Sequence, residues 1–321
     1  MATPVTARRL RIGVSACLLG HEVRWDGQHK RDAWLVEVLG PRVEWVPVCP
    51  EVEIGLGVPR EPIRLVGDPR APRLVSESGV DLTQRMRTWA QRRTRELEAL
   101  DLCGYVLKEG SPSCGMERVR VHPARGGRTR RQGTGAFARV LTKQLPLLPI
   151  EEERRLCDAQ VREAFLERIF AYARWKEALA AGMAPSSLAR FHARHELMLL
   201  AHGPAAPRRL GALVAAARPS AFERTVRAYG RGFMDALRQP ATRSRHARAL
   251  GEVLKRLGTV VSSGDRAELG SAVRAYEQGL APLEVPLALA RQWALRLGVE
   301  SLADQVYLNV ERDELALRHP A

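Results

Sequence analysis

No run of apolar residues in this 321-residue chain is long enough to cross a bilayer. The first eleven residues lack the apolar core of a secretory signal. These absences leave a cytoplasmic protein with no membrane partner as the default reading. The five cysteines include no C-x-x-C pair. Neither a disulfide framework nor a local zinc motif is therefore indicated. Lysine is scarce, at five of the 51 basic residues, so part of the basic excess is a bias towards arginine.

What is present bounds the fold. The chain is long enough for two domains, and its 45% hydrophobic content supports real cores. The formal charge is +15. Residues 1–150 carry 25 basic and 16 acidic side chains, net +9, and residues 151–321 carry 26 and 20, net +6. A basic balance on both halves suits a polyanionic partner, although a solvated surface accounts for charge alone equally well.

Three short runs rich in Val, Ile and Leu, at 10–16, 43–48 and 103–108, read as buried strands. A short helix is expected at 31–39 and a longer one at 81–101, with Leu82, Met86, Trp89, Arg93 and Leu97 on one stripe. A last helix is expected at 136–143, and 145–149 reads as a further strand. Strands alternating with helices indicate a parallel α/β layer. Cys17 and Cys49 each end a strand, and Cys114 sits in the turn Ser111-Pro112-Ser113-Cys114-Gly115 just beyond the third. In open α/β sheets, ligands bind outside the carboxyl ends of the strands. Singly, each cysteine reads as an inert buried thiol. Cys103 and Cys157 stand outside these motifs and are read as core, and Glu53 and Glu109 as solvated.

The motifs carry a resemblance. Ser15-Ala16-Cys17-Leu18-Leu19-Gly20 with Val23-Arg24-Trp25-Asp26-Gly27 comes first, and Pro47-Val48-Cys49-Pro50-Glu51 with Gly55-Leu56-Gly57 and Pro59-Arg60 second. With the Cys114 turn, they resemble the thiouracil desulfidase family over residues 10 to about 150. The resemblance implies a 4Fe-4S cluster held by Cys17, Cys49 and Cys114, with one iron not ligated by the protein. Soft thiolates suit that group. It also implies that Glu51 is the catalytic acid-base and that Ser111 hydrogen-bonds substrate, while Ser113 reads as a turn hydroxyl. Asp26 and Arg60 belong to the motifs and read equally as an ion pair or as binding residues.

Arg118, Arg120, Arg125, Arg128, Arg130 and Arg131 occur without an intervening acid, among several glycines. They read either as a phosphate-gripping flexible loop or as a mobile surface loop. No Phe, Trp or Tyr lies among them, so base stacking is not indicated there.

After a proline-marked linker at 145–153 the pattern becomes helical only. Helices are expected near 161–173 and from a Ser220–Glu223 capping box to near Pro240, then at 243–257, 264–280 and 286–297. The fold class is thus an α/β domain at 1–150 followed by an all-α bundle at 151–321. His192, His195 and His202 share a helix face and read as packed or RNA-facing before metal-binding. Arg238, Arg243, Arg245 and Arg248 form a basic cluster that reads as phosphate contacts or as a solvated turn.

The second half resembles an uncharacterised-type helical domain over roughly 155–317. The fused arrangement resembles bacterial tRNA 4-thiouridine desulfidases. That implies a non-redox, hydrolytic removal of sulfur from 4-thiouridine, with tRNA as partner. Two alternatives stand beside it: a desulfidase of free thiouracil or thiolated nucleotides, and a non-catalytic iron–sulfur RNA-binding or sensor protein. The oligomeric state is not legible in the sequence.

Overall fold

A computed structural model describes residues 9–258, 260–310, 314 and 317. Most of the N-terminal stretch read for a signal, and a few positions of the helical resemblance, lie outside these residues. The chain divides into two compact units at Ala173/Arg174, with Leu317 returning to the first.

In chain order the first unit holds β1 (Leu10–Ser15), β2 (Val43–Val48), α1 (Pro50–Glu53), β3 (Ile63–Val66), β4 (Arg73–Ser76) and α2 (Thr83–Ala99). There follow β5 (Gly104–Leu107), β6 (Val119–His122), β7 (Arg130–Gly133), α3 (Ala136–Gln144), β8 (Ile150–Glu152) and the start of α4 (Ala159–Ala180). The first sheet runs β2-β1-β5-β8 and is parallel throughout. Because it is covered on both faces, β1, β2 and β5 are mostly apolar, whereas the short edge strand β8 carries the buried Glu151 and Glu152. Alternation along β5 divides the side chains between the faces. Tyr105 and Leu107 join α2 and α3 in one core. Val106 joins Ile12, Val14, Leu35, Phe165 and Ile169 in the other. Each such fully buried side chain contributes about 1.5–3 kcal/mol. Gly13 is required here, because a Cβ would lie 2.2 Å from the Tyr105 ring.

The expected strands and helices of this half are present, the one at 31–39 as a π-helix over Trp34–Leu39, with the following corrections. Residues 145–149 form a turn, and the strand begins one residue later, at Ile150, where it pairs with β5. The last part of the stretch expected as a linker, Ile150–Glu152, is therefore a strand of the sheet. A second sheet, β4-β3-β6-β7, was not expected. The arginine-rich stretch 118–131 is built into it as an antiparallel hairpin, in which residues 123–129, with Arg125 and Arg128, form the connecting loop. On α2 the buried residues are Met86, Trp89, Ala90, Thr94 and Leu97, while Arg93 pairs with Glu53.

The second unit is helical: the end of α4, then α5 (Pro185–His202), α6 (Ala206–Ala215), α7 (Phe222–Leu237), α8 (Arg243–Leu257), α9 (Ser263–Glu277), α10 (Glu284–Arg296) and α11 (Glu300–Ala303). Trp175, Phe191, Tyr229 and Phe233 form its aromatic centre, with ring centroids 5.2–6.5 Å apart. The Thr242 hydroxyl caps α8, and the Ser262 hydroxyl caps α9 at 3.1 Å. The expected Ser220–Glu223 capping box is absent. Ser220 lies inside a 3-10 turn, Pro219–Ala221, and α7 starts after it without a side-chain cap. Among the described residues no helix is long and apolar enough to cross a membrane.

Candidate functional site

Ser15 pairs opposite Val48, and Val14 opposite Val106. Parallel pairing thus brings three strand ends to one edge. Cys17 follows β1 in a 3-10 turn, Ala16–Leu19. Cys49 is the residue between β2 and α1. Cys114 lies in the turn after β5. All three line one cavity of about 260 Å³, together with Glu51, Ser111, Lys108, Arg60, Arg24 and Trp25. Residues distant in sequence are gathered here by strand order alone.

Each cysteine is held by its backbone. The Cys17 carbonyl accepts the Lys30 N–H at 2.8 Å. The Cys49 N–H donates to the Glu53 carboxylate at 3.3 Å. Glu53 is exposed, as expected, but it also pairs with Arg93 at 3.1 Å, and partial burial pushes its carboxyl upward against that cation. The Cys114 turn is tied to the start of α3, where Pro112 and Ser113 carbonyls accept N–H groups from Ala136, Phe137 and Ala138 at 2.9–3.1 Å. Gly135 makes this approach feasible, since a Cβ would sit 2.5 Å from Ser113 carbonyl atoms.

The Ser111 hydroxyl accepts the N–H groups of Ser113 and Cys114, at 3.2 and 3.0 Å. Its own O–H proton is left to donate into the cavity it lines. Ser113 does not serve as a turn hydroxyl: its Oγ is buried without a partner. Glu51 is buried, with one oxygen 3.6 Å from the Cys49 sulfur and 4.0 Å from an Arg60 nitrogen. Arg60 also donates to the Val23 and Gly57 carbonyls, both at 2.9 Å. Asp26 pairs instead with Arg24, at 3.4 Å.

Two side chains of this site escaped the sequence reading. Ser15 accepts the Lys108 N–H at 3.0 Å, joining the ends of β1 and β5. The Lys108 ammonium lines the cavity and pairs with Glu153. No local pattern in the sequence marks Lys108 among the five lysines. Of the cysteines outside the motifs, Cys103 is buried as expected, but Cys157 is exposed in a 3-10 turn.

Burial, then the Glu51 carboxylate, pushes the Cys17 thiol up to about 11 and the Cys49 thiol up to about 12. Burial also drives the Cys114 thiol well above its ordinary value. Thiols in this environment bind a metal only if its positive charge offsets that cost. A soft donor set around one cavity, facing a carboxylate, fits a cationic iron–sulfur group. The Tyr105 hydroxyl, on the α2 and α3 side of the sheet, is fully buried with no partner, and burial drives it well above its ordinary value. No three His, Cys, Asp or Glu side chains among the described residues are arranged to hold a single metal ion.

A family model described as 2-thiouracil desulfurase matches residues 12–153, the stretch that carries all three cavity cysteines. The uncharacterized protein YbbK of Bacillus subtilis (strain 168) is 31% identical over 108 residues, which span 32% of this chain and 71% of YbbK. The chain belongs to the 2-thiouracil desulfurase family. A second model, of a domain of unknown function called DUF1722, matches residues 196–310. The solved structure of the 4Fe-4S-dependent thiouracil desulfidase TudS is 34% identical, covering 46% of this chain and 93% of that one, with a TM-score of 0.39.

The expected nucleic-acid contacts fall into two groups. Arg118, Arg120, Arg125, Arg128, Arg130 and Arg131 are all exposed along β6, β7 and their connection. Arg243, an exposed residue, and Arg245, a half-buried one, both donate to backbone carbonyls. Arg243 donates to the Tyr276 carbonyl at 3.1 Å and lies over that ring, and Arg245 donates to the His202 and Pro240 carbonyls. Arg248 is exposed, and Arg238 pairs with Asp235. The three histidines are packing residues: His192 bonds Tyr229, His195 the Phe191 carbonyl and His202 the Gln239 carbonyl.

Proposed function

We propose that this protein removes sulfur from 4-thiouridine in tRNA by hydrolysis, giving uridine and hydrogen sulfide. The observation that carries the reading is the meeting of Cys17, Cys49, Cys114, Glu51 and Ser111 in one cavity. Cys17, Cys49 and Cys114 would hold a 4Fe-4S cluster, which supplies, when bound, a thiophilic Lewis acid at the iron they leave open. Glu51 acts as general base on a water placed at the thiocarbonyl carbon. A carbon–oxygen bond forms, the carbon–sulfur bond breaks, and sulfur departs carrying protons from water. No electrons enter or leave. Ser111 donates its free proton to the substrate and fixes the ring's orientation. In tRNA the base has to leave its stack to reach the cavity, which costs a few kcal/mol.

The basic surface supports the polynucleotide over the free base. The six exposed arginines of the β6–β7 hairpin belong to the same unit as the cavity, and none of them pairs with a carboxylate among the described residues. The net charge of +15 favours approach to any nucleic acid. The test uses anaerobically reconstituted protein with thiolated tRNA and, separately, free thiouracil, following loss of thiocarbonyl absorbance and release of sulfide. Turnover of tRNA is expected. Activity on the free base alone overturns the tRNA reading, and a loaded cluster with no turnover on either overturns the enzyme reading.

A further inference from the structure

Trp25 does not behave like the other large aromatic residues of this chain. Trp89, Trp175 and Trp293 are 6%, 1% and 3% exposed and Trp34 and Trp45 are half-buried, whereas Trp25 is 47% exposed and lines the cysteine cavity. Water contact with an indole is unfavourable, so its persistence at a cavity rim calls for a partner. The segment that carries it is rigid. The Trp25 carbonyl accepts the Arg60 N–H at 2.9 Å, and the Arg24 N–H donates to the Gln28 carbonyl at 3.2 Å. The Gly27 N–H donates to the Arg24 carbonyl at 3.0 Å, the Gln28 N–H to the Asp26 carboxylate at 3.2 Å, and Arg24 pairs with Asp26. The same Arg60 that approaches Glu51 also binds the Val23 carbonyl. Trp25 is therefore referenced to the proposed base through one residue, Arg60, whose backbone N–H holds the Trp25 carbonyl and whose side chain faces Glu51, in a cavity also lined by Arg24 and Lys108.

We propose that Trp25 is the stacking platform for the thiolated pyrimidine ring, the residue that grips the extruded base at the cavity mouth. The proposal rests on the desulfidase reading for the identity of the ring, and on the exposure and anchoring of Trp25 for the contact. A flat, sequence-tolerant aromatic contact suits a nucleobase that has left its stack. It leaves the choice between oxygen and sulfur to groups deeper in the cavity.

The test titrates cluster-free and cluster-loaded protein with 4-thiouridine monophosphate while following indole emission, which overlaps the thiocarbonyl absorption. Trp25→Ala is expected to weaken binding about tenfold to a hundredfold in both forms. In the loaded enzyme it should raise KM far more than it lowers kcat. Trp25→Phe is expected to restore most of the affinity while losing the Trp25 share of the quenching. Iron and sulfide content should match the parent in both variants, which separates stacking from damage to the cysteine cavity. Unchanged affinity and KM in Trp25→Ala overturn the proposal while leaving the desulfidase reading intact. Trp25-dependent binding without turnover of any thiolated substrate overturns the desulfidase reading and leaves the platform standing.

Discussion

Arg60 and Glu51 face each other at 4.0 Å, with side chains only 7% and 12% exposed. The guanidinium nitrogen that faces Glu51 also donates to the Val23 carbonyl, and its second terminal nitrogen donates to the Gly57 carbonyl, so a single fork places the carboxylate, the loop after Cys17 and the turn before Pro59. A lysine has the charge but not the fork. Arg60→Lys is expected to lower stability by about 1 kcal/mol, because the half-buried Val23 carbonyl loses a charged donor. Turnover should fall at least tenfold as Glu51 loses its reference. Thermal melts and steady-state rates check this, and a variant equal to the parent in both removes Arg60 from the account.

Two glycine substitutions are expected to act in opposite directions. In Gly135→Ala the new methyl meets the Ser113 carbonyl at 2.5 Å. The Cys114 turn must then move away from α3. Overpacking of this kind costs about 1–3 kcal/mol, and iron content after reconstitution should fall with it. Gly251 lies within α8 with nothing within 4 Å of its Cβ position. Gly251→Ala should raise stability by about 0.5–1 kcal/mol. Melting temperatures and iron content of the pair give the comparison. Equal behaviour would remove the close approach at Gly135 as the cause.

His195 makes the helical unit sensitive to acid. Its Nδ1–H donates to the Phe191 carbonyl at 2.7 Å, and the ring stacks on Phe191 at 4.0 Å. Nε2 is buried without a partner. Burial first, then the Arg174 charge, lowers the imidazole to about 3. The unfolded chain takes up a proton near pH 6.5 and the folded unit does not. The stabilisation is therefore complete above pH 6.5 and is lost as pH falls towards 3, by roughly 1.4 kcal/mol per pH unit. Amide exchange along α5, corrected for intrinsic rates, should show this loss in the parent and a flatter profile in His195→Gln. Parallel profiles would assign the acid sensitivity elsewhere.

The hairpin arginines should bind phosphate rather than stabilise the fold. Replacing Arg125, Arg128, Arg130 and Arg131 by alanine is expected to leave the melting temperature within about 1–2 °C, as for exposed surface changes. Affinity for tRNA should fall, and the salt dependence should flatten by on the order of one unit of slope for each phosphate no longer neutralised. Arg243→Ala and Arg245→Ala should do the reverse, lowering stability because their guanidiniums serve backbone carbonyls. Binding at several salt concentrations distinguishes the two sets. An unchanged slope in the hairpin variant takes tRNA off that surface.

Local pattern alone determined much of this protein. Val, Ile and Leu runs marked β1, β2 and β5, and helical periodicity marked α2 and the all-helical second half. Proline and glycine beside the cysteines marked the turns that end the strands. Such signals lie within a few residues of one another, so they survive without a folded context. The tertiary structure decided the rest. The strands β3, β4, β6 and β7 are four residues each, some of them mostly polar. They are strands only because distant segments pair with them. The Arg60 contact to Val23, 37 positions away, and the Lys108 contact to Glu153, 45 away, leave no periodic trace. Whether an arginine faces solvent or a buried carbonyl depends on which segments fold against it, and spacing along the chain carries no information about that.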